Sequence, residues 1–212
     1  MGTLSSEHVK FKVGESELSG ILEKPSTETT LVVLVLHPHP LQGGDMYNPV
    51  VQTLVDTFLE AGYATFRFDF RGATSRSDFA GVSGAVDDST TAAEMLDSLG
   101  FELAGIAGYS FGGSTTLRFS SFNKVEFVVS VSSSLDLYRE DGFPMDNLSR
   151  IECPVLMFHG TSDSTAPFEN MTNISSQIQS AVKCISLENE GHFYHRSLDR
   201  VHDEVIDFIE NL

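Results

Sequence analysis

The segment Gly108-Tyr109-Ser110-Phe111-Gly112 sets one serine between two glycines, directly after the apolar pair Ile106-Ala107 and before a helical stretch. Strand, sharp turn and helix in that order lift the serine hydroxyl on a strained backbone. Side chains at the glycine positions would collide where the strand and helix approach each other. The helix N-terminus then aims its dipole and free amides at whatever reacts there. A glycine-rich strand-to-helix turn with an incidental serine, as in nucleotide-binding folds, would look similar. It would not come with the partners described next.

A serine hydroxyl is a poor nucleophile until a base takes its proton, and histidine titrates in the right range to do so. Of the seven histidines, His192 in Glu190-Gly191-His192-Phe193 follows the last apolar run and precedes the last helical stretch. His195 is its rival, three residues further on; Gly191 favours His192 by easing the loop toward the serine. His8 belongs to an N-terminal hairpin, His202 to the final helix, and His159 ends a strand, where a structural role is expected. A carboxylate should hold the imidazole tautomer and stabilise the imidazolium. Asp163 in His159-Gly160-Thr161-Ser162-Asp163, with Pro167 closing the turn, is the first choice, and Asp136 the second. The order Ser110, Asp163, His192 is that of a nucleophile, acid and base read along one chain.

The elements that must position these residues follow from hydrophobic periodicity. Apolar, mostly β-branched runs at 31–37, 63–70, 102–108, 125–131, 155–159 and 182–187 predict strands. Longer stretches at 48–61, 84–99, 112–122, 169–180 and 198–210 predict helices. Near-continuous apolar strands alternating with helices imply an α/β fold, a mostly parallel sheet covered on both faces. Segments 8–13 and 17–23 flank Gly14-Glu15-Ser16 and predict an antiparallel hairpin on the sheet's edge. No repeat or flexible linker interrupts the chain, so one domain is expected over 1–212. The stretch between 131 and 155 is too short for a cap domain, and 132–147 is the nearest thing to a lid.

The 212 residues suffice for one sizeable core. Thirty acidic against 13 basic residues give a formal charge of −17. Such a surface repels phosphate backbones and anionic membranes, so neither nucleic acid nor a membrane is an expected partner. No apolar run is long enough to span a bilayer. The first residues lack the features of a secretory signal, and a cytoplasmic protein is expected. A myristoylation pattern over residues 1–6 is too short to be informative. Cys153 and Cys184 lack metal-ligand spacing and read as small buried hydrophobes. No metal cluster, Walker loop or dinucleotide fingerprint is present, so no cofactor is implied.

Five motifs together resemble the small cap-less α/β hydrolases of the carboxylesterase and dienelactone-hydrolase-like type. They are His37-Pro-His-Pro-Leu-Gln-Gly-Gly44, Phe68-Asp-Phe-Arg-Gly72, Gly108-Tyr-Ser-Phe-Gly-Gly113, His159-Gly-Thr-Ser-Asp163 and Gly191-His192. The resemblance covers nearly the whole chain and implies the α/β-hydrolase fold. It also implies a cofactor-free serine hydrolase that cleaves short acyl esters through an acyl-serine. Ser110 stands where dienelactone hydrolases proper have cysteine, and Ala73-Thr74 replace a glycine-bearing turn of many relatives. The oxyanion of the tetrahedral intermediate needs two backbone amides. Phe111, after the nucleophile, should supply one. Pro38 and Pro40 cannot donate, and alignment of His39-x-Leu41-x-Gly43 with esterase HGxxG loops makes Leu41 the second donor, with His39 behind it. Rival functions are a thioesterase, peptidase or amidase, or acyltransferase using the same residues, and, from another class, a hydrolase-shaped ligand-binding protein.

Overall fold

The computed structural model describes residues 5–212. Residues 1–4, and with them most of the myristoylation pattern, lie outside the described residues. Strands β1 (Ser5–Val13) and β2 (Ser16–Lys24) form the hairpin, which turns at Gly14 with φ 57°. There follow β3 (Leu31–Leu36), α1 (Pro49–Glu60), β4 (Ala64–Phe68), α2 (Gly81–Ser98), β5 (Glu102–Tyr109), α3 (Phe111–Ser120) and β6 (Phe127–Val131). The chain closes with α4 (Leu135–Glu140), β7 (Val155–Gly160), α5 (Glu169–Ser175), β8 (Val182–Leu187) and α6 (Leu198–Glu210).

The eight strands form one sheet in the order β1-β2-β4-β3-β5-β6-β7-β8, antiparallel at β1/β2 and β2/β4 and parallel from β4 onward. The period-2 alternation of β3 sorts its side chains. Val32, Leu34 and Leu36 enter one core with α2, α3 and α5, while Val33 and Val35 enter the other with α1 and α6. Right-handed crossovers explain this split. The chain moves from β3 to β4 in one direction over α1. It then reverses past β3 to β5 over α2, which must lie on the opposite face. β3 and β5 therefore flank a topological switch point, where the loops at their carboxyl ends diverge and leave a crevice.

The predicted strands and helices are present with ends shifted by a few residues. Helix α5 stops five residues short of the expected 180. Helix α4 was not expected, because six residues are too few to show a 3.6-residue period. The segment between β6 and β7 is no separate cap: Tyr138 and Leu148 are fully buried, and the Tyr138 hydroxyl donates to the Ser114 carbonyl of α3 at 2.9 Å. Cys153 is half-buried, but Cys184, on the edge strand β8, is exposed; both are free thiols. Among the described residues no helix is long and apolar enough to cross a membrane.

Candidate active site

The turn from β5 into α3 places Ser110 at φ 56° and ψ −112°, where L-residues are strained. Glycine is required on either side. A Cβ on Gly108 would lie 2.5 Å from the Gly112 carbonyl, and one on Gly112 would lie 2.4 Å from the Leu36 carbonyl oxygen. The backbone N–H of Ser110 donates to the Val131 carbonyl at 2.7 Å, tying the turn to β6. Phe111 opens α3, so its amide has no acceptor within the helix.

His192 and Asp163 come from the loops after β8 and β7. Ser110 Oγ lies 2.9 Å from His192 Nε2, and His192 Nδ1 lies 2.7 Å from Asp163 Oδ2. Burial alone would raise the Asp163 pKa, but the hydrogen bonds from His192 and from the Ala166 and Thr165 amides outweigh it and hold the carboxyl below its ordinary value. An ionised carboxylate only accepts, so Nδ1 carries the proton and Nε2 is left to accept the serine hydroxyl. Asp163 Oδ1 takes the Thr165 and Ala166 amides at 2.9 and 2.8 Å.

The Asp163 and His192 loops are built against each other. A Cβ on Gly160 would sit 2.4 Å from the Glu190 carbonyl oxygen, and the Ser162 amide donates to that carbonyl at 2.9 Å. The buried Glu190 carboxylate caps the amides of Gly191 and Arg196 at 3.0 and 2.9 Å, which fixes the ends of the His192 loop. Burial raises its pKa less than its hydrogen bonds lower it, and the net shift is downward. The Tyr109 hydroxyl donates to the His192 carbonyl at 2.5 Å. His159 is buried, its pKa lowered by desolvation, and its Nε2–H donates to the Ala166 carbonyl at 2.8 Å, which fits the structural role expected of it.

The rivals sit elsewhere. His195 is exposed, its ring 6.1 Å from that of Phe193. Asp136 is exposed and paired with Arg139 at 3.0 Å. The loop after β3 brings one correction. The Leu41 amide donates to His39 Nδ1 at 3.2 Å, closing a turn over Pro40–Gln42, and is not free to bind an oxyanion. The His39 amide makes no hydrogen bond among the described residues. The His39 ring packs 5.0 Å from that of Phe111, keeping residue 39 beside the start of α3. His37 pins the same loop from within: its Nδ1–H donates to the Pro38 carbonyl at 2.6 Å and its Nε2 accepts the Phe70 amide at 2.9 Å.

A concavity of about 190 Å³ lies beside Phe111, bounded by His39, Phe79, Val82, Leu137 and Glu140. Phe79 is one of its walls, while three other aromatics lie outside it. Phe143 packs on Tyr138, Phe168 lies against His159, and Phe193 projects outward at 68% exposure. Larger recesses, about 310 Å³ around Phe122 and Arg150 and about 720 Å³ along residues 24–31, lie at the amino end of the parallel strands, away from Ser110. Among the described residues no group of three or more His, Cys, Asp or Glu side chains is arranged to hold a metal ion. Sequence reasoning missed Glu190, Tyr109, Ser132 and Tyr194, whose hydrogen bonds are made only in the folded chain.

No protein-family model matches the chain. An alpha-beta serine hydrolase homologue from Coxiella burnetii superposes with a TM-score of 0.84 at 27% identity, over 95% of this chain and 96% of that one. A serine hydrolase without a lid from Xanthomonas campestris gives 0.84 at 21% identity over 97% and 94%. The esterase domain of a Rhodothermus marinus protein gives 0.80 at 18% identity over 98% of both chains. The fold shared across these lengths is that of the lidless α/β hydrolases.

Proposed function

We propose that this protein, a small cap-less α/β hydrolase of the esterase-like group, is a carboxylesterase acting on short-chain acyl esters through an acyl-Ser110 intermediate. The observation that carries the reading is the unbroken line from Ser110 Oγ to His192 Nε2 and from His192 Nδ1 to Asp163 Oδ2, at 2.9 and 2.7 Å.

His192 Nε2 takes the Ser110 proton as Oγ bonds to the ester carbonyl carbon, and the carbonyl π pair moves onto oxygen. The amides of Phe111 and His39 hold that oxyanion, His39 replacing Leu41 because the Leu41 amide is already engaged. The adduct collapses, the C–O bond to the alcohol breaks, and His192 returns its proton to the departing oxygen. Water, deprotonated by the same histidine, attacks the acyl carbon; the bond from that carbon to Ser110 Oγ breaks, His192 returns the proton to Oγ, and the carboxylic acid departs. Asp163 stabilises the imidazolium in both half-reactions without taking its proton. The small concavity beside Phe111, where Phe79, Val82 and Leu137 face His39 and Glu140, has room for a short acyl group, and the absence of a lid leaves the acyl-enzyme open to water.

The test is hydrolysis of p-nitrophenyl esters from acetate to decanoate by the parent and Ser110→Ala. Release that peaks on short chains and drops at least about a hundredfold in the variant is the expected result. No release above the variant's background on any ester overturns it. Turnover of thioesters or peptides alone would shift the reading to those leaving groups.

A further inference from the structure

A second line of hydroxyls reaches the carboxylate from behind. Ser132, the residue after β6, is fully buried and donates its hydroxyl to Asp163 Oδ2 at 3.1 Å, the same oxygen that accepts His192 Nδ1–H. Tyr194, two residues after His192, is also fully buried, with its hydroxyl 2.9 Å from Ser132 Oγ. The polarity is fixed by counting protons. The carboxylate can only accept, so the single Ser132 proton goes to Asp163 and the Tyr194 proton must go to Ser132. Burial holds the Tyr194 phenol far above its ordinary range, so it stays a donor.

Both residues take left-handed backbone conformations, with φ 48° at Ser132 and φ 53° at Tyr194, that L-residues rarely adopt. At Tyr194 this turn sends the ring inward between the exposed Phe193 and His195. At Ser132 the backbone is held by its amide's bond to the Phe158 carbonyl at 2.9 Å. Two strained residues on separate loops thus line up behind one oxygen, Ser132 on Asp163 Oδ2 and Tyr194 on Ser132, and packing alone gives no reason for the hydroxyls to meet there.

We propose that Ser132 and Tyr194 are positioning residues, a relay from Tyr194 Oη–H to Ser132 Oγ and on to Asp163 Oδ2. The relay orients the carboxylate toward His192 and withdraws part of the charge that Oδ2 presents to it. The inference rests on the proposed hydrolase reading and deepens it. Neither residue touches substrate. The charged and titratable neighbours of the pair are His159, whose Nε2 is 3.6 Å from Oδ2, Tyr109 on the His192 carbonyl, and Glu190 on the base loop. His159 is held neutral by burial and Tyr109 protonated, so neither produces the expected shift.

The test uses the full chain with Ser132→Gly, which removes the hydroxyl while suiting φ 48°, and Tyr194→Phe. For each, kcat and KM are measured on the best p-nitrophenyl ester, the pH profile of kcat/KM is recorded, and the His192 Nδ1 proton is followed by NMR. Ser132→Gly, which loses the charge-assisted hydrogen bond to Asp163, should lower kcat about tenfold, and Tyr194→Phe, which loses the neutral bond to Ser132, should lower it less, with KM nearly unchanged in both. The acid limb of kcat/KM should move to higher pH, because the unshielded carboxylate holds the imidazolium more tightly. Ser132→Gly should show the larger shift, and the Nδ1 proton should move downfield in both. Folded variants with the parent's kcat, acid limb and Nδ1 resonance overturn the relay. The NMR readout does not need turnover: an inactive parent would sink the esterase reading, while the resonance would still decide the relay.

Discussion

The two ends of the parallel strands handle left-handed backbone in different ways. At the amino end, the turns into β4 and β5 place Gly62 at φ 90° and Gly100 at φ 87°, and glycine adopts such angles without a Cβ penalty. At the carboxyl end glycine also turns the loops after β3 and β4, with Gly43 at φ 82° and Gly72 at φ 95°, but Ser110, Ser132 and Tyr194 take φ values of 56°, 48° and 53° without being glycine. There the strain is held by buried hydrogen bonds, and the side chains that glycine would lack are the ones that converge on Asp163 and His192. The same end buries His37, His159, Asp163 and Glu190. One end of the sheet is built for unstrained chain reversal, the other for fixed placement of polar groups.

The largest effect that would sharpen this contrast is chemical. Asp163→Asn should leave the fold intact, since an amide oxygen can still accept from Thr165 and Ala166. It should favour the wrong imidazole tautomer and lower kcat by about ten-thousandfold, read from ester hydrolysis alongside an unchanged circular dichroism spectrum. A large loss of structure instead would mean that the carboxyl end is a stability element like the amino end. The next effect is in acid stability. Burial pushes the His37 pKa from 6.5 to about 4, against the raising effect of its bond to the Pro38 carbonyl. Between those values the unfolded chain binds the proton and the folded one does not. Stability should therefore fall as pH drops from 6.5 toward 4, by about 3 kcal/mol. Urea unfolding near pH 7 and near pH 4 should show this in the parent and a smaller loss in His37→Gln.

Much of the amino-to-carboxyl layout was legible because it is local. Alternation in residues 31–36 and the Gly-x-Ser-x-Gly turn each act over a few residues, and crossover handedness assigns each helix to a face once the strand order is given. Asp163 and His192 could be singled out because each sits in a short polar loop just past an apolar strand. What escaped depends on contacts across loops. Tyr194 in Gly191-His-Phe-Tyr-His195 has the sequence appearance of any core aromatic, and Ser132 that of any loop serine. Their meeting requires β6 and β8 to lie on either side of β7, a fact of topology. The Leu41 expectation failed for a similar reason. Pro38 and Pro40 have no amide hydrogen to donate, but no pattern signals that the His39 ring would turn back onto the Leu41 amide.

Strain itself gives a smaller test. Ser110→Gly and Ser110→Ala both remove the Ser110 hydroxyl, yet only glycine relaxes φ 56° and ψ −112°. The glycine variant should be more stable than the alanine variant by about 2 kcal/mol in urea melts. Equal stabilities would show that the turn is unstrained and the contrast between the ends overstated.

The smallest effect belongs to the amino end. A Cβ at Gly100 would meet nothing within 4 Å, so Gly100→Ala isolates the backbone penalty from any clash. It should cost about 1 kcal/mol of stability. Gly100 ends α2 and leads into β5, the strand that carries Ser110, so a change there has a direct mechanical route to the nucleophile. The hydrogen bonds that hold Ser110, from its own amide to Val131 and from its hydroxyl to His192, all lie at the far end of that strand. The kcat of Gly100→Ala on p-nitrophenyl acetate should therefore equal the parent's while its urea midpoint falls. A drop in kcat matching the loss in stability would mean that the carboxyl-end geometry is set by the whole strand and not by its local hydrogen bonds.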